Sequence, residues 1–126
     1  MKIKSDYFAP LLFLLLLAGG LAGCSNPNYE FIQGKWERGN VHFYDMWIFD
    51  GGQFIHQTGV NMMNPQILSG KFAIVESQGD ELIIELYDLQ ATYTTFIDDR
   101  QEVKIVIDRE TDAAKIGRSD FARVFP

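Results

Sequence analysis

One cysteine, Cys24, is all that the 126 residues contain. No intrachain disulfide can form, so the fold has to be held by burial and hydrogen bonding alone, although an oxidising compartment would permit bridges. Basic charge is scarce as well: 11 Lys and Arg stand against 17 Asp and Glu, a net charge of −6. Such a surface repels phosphate backbones, and nucleic acid is not an expected partner. Catalytic patterns are missing too. No serine stands in a Gly-X-Ser-X-Gly elbow, and no glycine-rich phosphate loop leads into a helix. The paired carboxylates Asp98-Asp99 fall in a turn signal, where a solvated hairpin tip is the default. No enzyme is expected.

What is present begins with the amino terminus. Lys2 and Lys4 are basic, Tyr7 to Gly23 carries no charge, and Leu11 to Leu17 is an unbroken apolar run. Small residues follow: Ala18, Gly19 and Gly20, then Leu21-Ala22-Gly23-Cys24. Basic, apolar, then small is the order of a secretory signal. The uncharged stretch is shorter than the roughly 20 residues that a membrane span needs, and Pro10 and the glycines weaken it further. The tetrad ending at Cys24 resembles the lipobox of bacterial lipoproteins. That resemblance implies acylation of the Cys24 thiol, cleavage before it, and a protein held on a membrane by covalent lipid. More than one acyl chain is expected, since a single chain anchors only marginally. Ser25 in place of aspartate leans towards the outer membrane, facing the periplasm, if the organism is Gram-negative. The expected organisation is a signal peptide over 1–23, a lipidated cysteine and short linker over 24–30, and a β-barrel domain over 31–126. Apart from the lipid on Cys24, no cofactor is expected.

Removing residues 1–23 takes away Lys2, Lys4 and Asp6 and leaves 103 residues with 9 basic and 16 acidic side chains, a net charge of −7. That length suits one domain with a modest core. Its acidity argues against a domain lying flat on anionic lipid, so tether and domain should have separate tasks. Ser25-Asn26-Pro27-Asn28 reads as a polar, breaker-rich tether, and no convincing helical period follows it. Instead, alternating apolar runs are punctuated by Gly, Asp and Asn clusters, which suggests a small barrel or sandwich. Strands are expected at Gly34–Arg38, Val41–Asp50, Phe54–Val60, Gly70–Glu76, around Leu82–Leu86, at Ala91–Ile97, around Val103–Ile107, at Ala113–Ile116 and at Phe121–Phe125. Asn61 to Pro65 reads as a loop. Asp50-Gly51-Gly52-Gln53 is the sharpest turn, because two glycines permit the positive φ of a two-residue hairpin. It would pair Phe49 with Phe54, Trp47 with His56, and Asp45 with Thr58. About eight short strands in simple sequence favour an all-β, antiparallel up-and-down barrel, whose closure removes exposed edges.

Gly34-Lys35-Trp36, Phe49-Asp50-Gly51-Gly52-Gln53-Phe54, Gly70-Lys71-Phe72 and Phe121-Ala122-Arg123 resemble the marks of lipocalins and their small bacterial relatives. The resemblance implies that Trp36 packs at the closed bottom of a barrel with a basic side chain across it, either Arg123 or Arg118.

Among candidate sites, His42, Asp45, His56 and Asp50 come nearest to a metal constellation. Strand parity puts His42 on the face opposite Asp45 and His56, so no metal centre is expected and His56 should be hydrogen-bonded beside Trp47. The aromatics Trp36, Phe43, Trp47, Phe49, Phe54, Phe72, Phe96 and Phe121 should concentrate inside. They either fill a core or line a pocket for a small apolar or lipid-like ligand, formed by Trp47, Phe49 and Phe54 with His56, Thr58 and Asp45 as polar contacts. Tyr44, Met46 and Ile48 point outward, and Met62 and Met63 follow. Methionines adapt to irregular surfaces, so this set is the expected docking face for a protein partner in the cell envelope. The reading from sequence is a membrane-anchored, non-catalytic interaction or assembly module, with a lipocalin-like carrier or sensor as the alternative.

Overall fold

A computed structural model describes residues 26–40, 42–61 and 63–125. Residues 1–25, on which the expected signal peptide and the tetrad ending at Cys24 fall, lie outside the described residues, as do Val41, Met62 and Pro126. Eight antiparallel strands, each bonded to its neighbours in sequence, close into an up-and-down barrel when the last meets the first. They are β1 (Gly34–Asn40), β2 (Phe43–Asp50), β3 (Gln53–Val60), β4 (Met63–Gln78), β5 (Glu81–Ala91), β6 (Arg100–Asp108), β7 (Ala113–Ile116) and β8 (Ser119–Val124). Among the described residues no helix is long and apolar enough to cross a membrane.

The β2–β3 hairpin has the expected form. Asp50 pairs with Gln53, Phe49 with Phe54, Trp47 with His56 and Asp45 with Thr58. Gly51 takes φ +63°, the left-handed conformation that a two-residue turn demands. Further along, Gly59 lies under the Tyr44 ring, where a Cβ would come within 2.3 Å of a ring carbon. Any larger residue there requires the Tyr44 ring to move.

Alternation sets the core. Trp36, Trp47, Phe49, Phe54, Phe72, Leu82, Ile84, Leu86, Ile105, Ile107, Ala114, Ile116 and Phe121 point inward and are buried. Each large apolar side chain buried in this way contributes about 1.5–3 kcal/mol. Successive connections alternate between two ends. The end where β1 begins, the base, carries the β2–β3, β4–β5 and β6–β7 turns, and the opposite end is the mouth.

Three expectations are corrected. Asn61–Pro65 is not a loop, because β4 already starts at Met63 and continues through Pro65. Pro65, lacking an N–H, sits in an irregular stretch between the pairings Thr58–Gln66 and Val60–Met63, where the register shifts and no ladder donor is required of it. Ala91–Ile97 is not a strand: β5 ends at Ala91, and Thr92, bonded to Ile67, is the last residue in the ladder. β6 begins at Arg100, opposite Tyr87, so residues 92–99 have no strand beside them and their β-propensity is unused. Phe96, expected inside, lies in that connection and is 92% exposed.

The stretch read as a tether also differs. Pro27–Ile32 forms a short helix, α1. Asn26 caps it through Oδ1, which accepts from the backbone N–H of Asn28 at 2.9 Å, and Pro27 occupies the first helical position, where its missing N–H costs nothing.

At the base, β1 and β8 share only three paired positions: Lys35–Val124, Trp36–Arg123 and Glu37–Ala122. The Arg123 guanidinium lies 4.3 Å from the Trp36 ring centroid. Its Nε donates to Asp112 Oδ1 at 2.8 Å and its Nη1 to the Gln33 carbonyl at 2.7 Å. Trp36 Nε1 donates to the Ile32 carbonyl at 2.9 Å. Arg118 sits in the exposed turn between β7 and β8, so the basic partner of Trp36 is Arg123. Replacing Arg123 by glutamine removes the cation–π contact and both charge-assisted bonds. The Arg123→Gln chain should unfold in urea with about 2 kcal/mol less stability; an unchanged midpoint would show that the seam does not depend on this side chain.

Candidate functional site

Side chains on the inner face of β2 and β3 form a graded series from base to mouth. Phe49 meets Phe72 edge-on at 5.2 Å, Trp47 stacks on Phe49 at 5.6 Å, and Phe54 tilts against Trp47 at 5.9 Å. His56 then stacks on Trp47 with centroids 4.0 Å apart and planes within 10°. Trp47, Phe49 and Phe54 therefore pack against one another, and the space they were expected to line is occupied by their own rings.

Polarity begins at His56. Its Nε2 lies 2.8 Å from Asp45 Oδ1. Asp45 is the cross-strand neighbour of Arg38, whose Nε donates to Asp45 Oδ2 at 3.1 Å. One carboxylate thus serves two cationic or potentially cationic side chains, one through each oxygen. A carboxylate only accepts, so the network assigns the His56 proton to Nε2 and leaves Nδ1 as an acceptor in the neutral ring. The Arg38 guanidinium sits over two rings, 4.8 Å from the Phe43 centroid and 5.6 Å from that of Phe121.

Burial changes along this series. The Asp45 side chain is 11% exposed, that of His56 27% and that of Arg38 35%, although all three belong to the inward-facing set. Phe43 and Thr58, also inward by parity, are half-buried. The interior is packed through its aromatic section, and its inward side chains become more polar and more exposed towards the mouth.

Arg38 is not among the residues that the sequence singles out. Its signal is there: two positions after Trp36 on a strand puts it on the same inward face. A charged residue on a small acidic domain reads by default as solvated, and that default hides it.

His42 falls in the turn before β2, where its Nδ1 lies 3.3 Å from Asn61 Oδ1, and it takes no part in the Asp45–His56 pair. Among the described residues no group of three or more His, Cys, Asp and Glu is arranged to hold a metal ion. Thr58 makes no side-chain hydrogen bond among the described residues, so no hydroxyl is linked to His56 in the way a nucleophile would be to its base.

On the outside, Tyr44, Met46 and Ile48 share the outer face of β2 and are half-buried. The Tyr44 hydroxyl accepts from Gln57 Nε2 at 2.9 Å. Open grooves flank this strand on both sides. One, of about 620 Å³, runs over Glu37, Gly39, Tyr44, Met46 and Val124; the other, of about 550 Å³, over Ile48, Ile55, Lys71 and Asp88. Met63 belongs to β4.

The fold defines the class: a small, closed, eight-stranded up-and-down β-barrel. No protein-family model, curated protein or solved structure matches the chain.

The mouth cluster makes a stability prediction. Asp45→Ala leaves Arg38 and His56 without their shared acceptor in a half-buried setting, and the barrel should lose about 2 kcal/mol in chemical denaturation. Stability equal to that of the unaltered chain would mean the trio contributes nothing to the fold.

Proposed function

We propose that this protein is a lipid-anchored, extracytoplasmic, non-catalytic module that binds a protein partner in the bacterial cell envelope through the outer surface of its barrel. The carrying observation is the stacked interior: Trp47 between His56 and Phe49, with Phe54 and Phe72 against them, occupies the space a barrel carrier would keep for a ligand. Binding is therefore assigned to the outside. There the face of β2 carries Tyr44, Met46 and Ile48, apolar side chains bordered by open grooves. Aromatics and methionine are the types enriched where proteins meet.

The anchor in this reading is Cys24, supported by the tetrad Leu21-Ala22-Gly23-Cys24 and the apolar run before it. The domain's net charge of −7 after removal of residues 1–23 keeps it off anionic lipid, so the lipid positions the domain and the domain does the binding. Ser25 favours the outer membrane, facing the periplasm, in a Gram-negative host.

Two experiments test the two halves. In its own host, the unaltered chain should take up labelled fatty acid and sediment with membranes, while Cys24→Ser should do neither; membrane retention of Cys24→Ser without label would overturn the anchor. For docking, Met46→Glu combined with Met63→Glu should abolish co-purification of the membrane partner and leave the circular dichroism spectrum intact. Retained co-purification would sink the assignment to this face.

A further inference from the structure

Near the mouth, β5 runs on past the strand that flanks it. β6 joins the ladder at Arg100, opposite Tyr87, so residues 88–91 of β5 are laddered to β4 alone. Two local causes stop the pairing there. A bulge shifts the β4–β5 register between Ser69 and Lys71, and Asp88, with φ +51°, bends β5 at that point. Carrying the β5–β6 register one step further would also set Asp99 directly against Asp88, a like-charge pair that opposes the ladder. The result is an open sheet edge. Alternate residues of a strand bond to opposite sides. Thr92 N–H donates to the Ile67 carbonyl and Gln90 pairs with Ser69, so the backbone groups of Leu89 and Ala91 are directed away from β4. Among the described residues no backbone bond from 92–99 meets them. An open groove of about 590 Å³ runs along this edge, lined by Asp88, Leu89 and Gln90 of β5 and by Ile97, Asp98 and Asp99 of the connection to β6. Its charge is one-sided. Asp88 is compensated by Lys71 at 3.4 Å and the neighbouring Arg100 by Glu85 at 2.7 Å, whereas the exposed Asp98 and Asp99 have no ion-pair partner among the described residues.

We propose that this edge receives an extended, lysine- or arginine-bearing segment of a partner protein as an added strand. The unpaired N–H and C=O groups of Leu89 and Ala91 supply the main-chain bonds of such an addition. Asp98 and Asp99 pair with cations on the segment. They select a basic sequence and turn away a second copy of this acidic domain. Phe96, 92% exposed just ahead of the two carboxylates, offers apolar contact beside the charges. The segment is short, because residues 88–91 span only about 13 Å at the rise of a strand. None of the outward residues of β2 takes part, so the edge stands or falls separately from the docking face.

The probe is a short capped peptide of alternating lysine and valine, titrated into the unaltered full-length chain as its host processes it. In nuclear magnetic resonance spectra the Leu89 and Ala91 amide signals should move along one saturable curve and gain protection from hydrogen exchange. The same peptide methylated on alternate backbone nitrogens keeps every charge and loses the donors on its pairing side. It should bind at least about tenfold more weakly. Asp98→Asn combined with Asp99→Asn should weaken the unmethylated peptide about tenfold, as the loss of two exposed charge pairs implies. Equal binding of the methylated peptide, equal binding of a glutamate–valine peptide, undiminished binding by the doubly substituted chain, or no saturable shift at Leu89 and Ala91 would each overturn the proposal. The methylation contrast needs no altered chain, so it supports or overturns the proposal even if the double substitution disturbs folding.

Discussion

The closure of the barrel rests on one seam. Every other junction joins neighbouring strands, so a short connection brings the partners together. β1 and β8 lie at opposite ends of the barrel sequence and meet over three paired positions. A ladder so short cannot by itself offset the entropy of bringing distant segments together. The side chains at the seam supply the rest. Arg123 lies on the Trp36 ring while its nitrogens bind Asp112, from the β6–β7 turn, and the Gln33 carbonyl, just ahead of β1. Gln33 in turn accepts from the Gly51 N–H of the β2–β3 turn at 2.8 Å. One arginine and one glutamine thus tie the first strand, the last strand and two turns into the base.

Once the seam closes, parity dictates the interior. The inner residues of β2, read from base to mouth, are Phe49, Trp47, Asp45 and Phe43, and those of β3 are Phe54, His56 and Thr58. Both strands are aromatic at the base and turn polar after Trp47 and Phe54, at Asp45 and His56, with Phe43 returning as an aromatic at the rim of β2. Because they are neighbours in register, the polar ends coincide, and β1 adds Arg38 beside Asp45. The aromatic base and the more polar, more exposed mouth are one consequence of a shared register rather than two separate features.

Parity and register also separate what is legible in the sequence from what is not. The pairs Phe49–Phe54, Trp47–His56 and Asp45–Thr58 follow from a two-glycine turn and a period of two, both local properties. The Trp36–Arg123 contact spans most of the domain, and only short family-like motifs point to it. Local rules fail where the deciding fact lies on another strand. Thr92–Ile97 has strand-forming residues, but whether a ladder waits for them depends on where β6 begins, and it begins at Arg100. Phe96 goes to the surface for the same reason. Pro65 fails in the opposite sense, since a residue that normally breaks strands is tolerated where the register already shifts. The Asn26–Pro27 cap is legible as a helix start, yet α1 is too short to show a period.

The trio at the mouth has a bearing on how the barrel divides its work. An ion pair removed from water is weak evidence of stabilisation, because well-packed apolar side chains of similar size often do as well or better. Phe43 and Phe121 already provide apolar surface on both sides of Arg38, so leucine or methionine would suit the position if packing were the whole requirement. Asp45 is buried and accepts from two side chains, which makes it the support that keeps Arg38 and His56 in place. Trp47 then joins that support to the core, one face of the series on His56 and the other on Phe49. A charged group held by rings and braced by a buried carboxylate thus ties three neighbouring strands, β1, β2 and β3, together above the aromatic core.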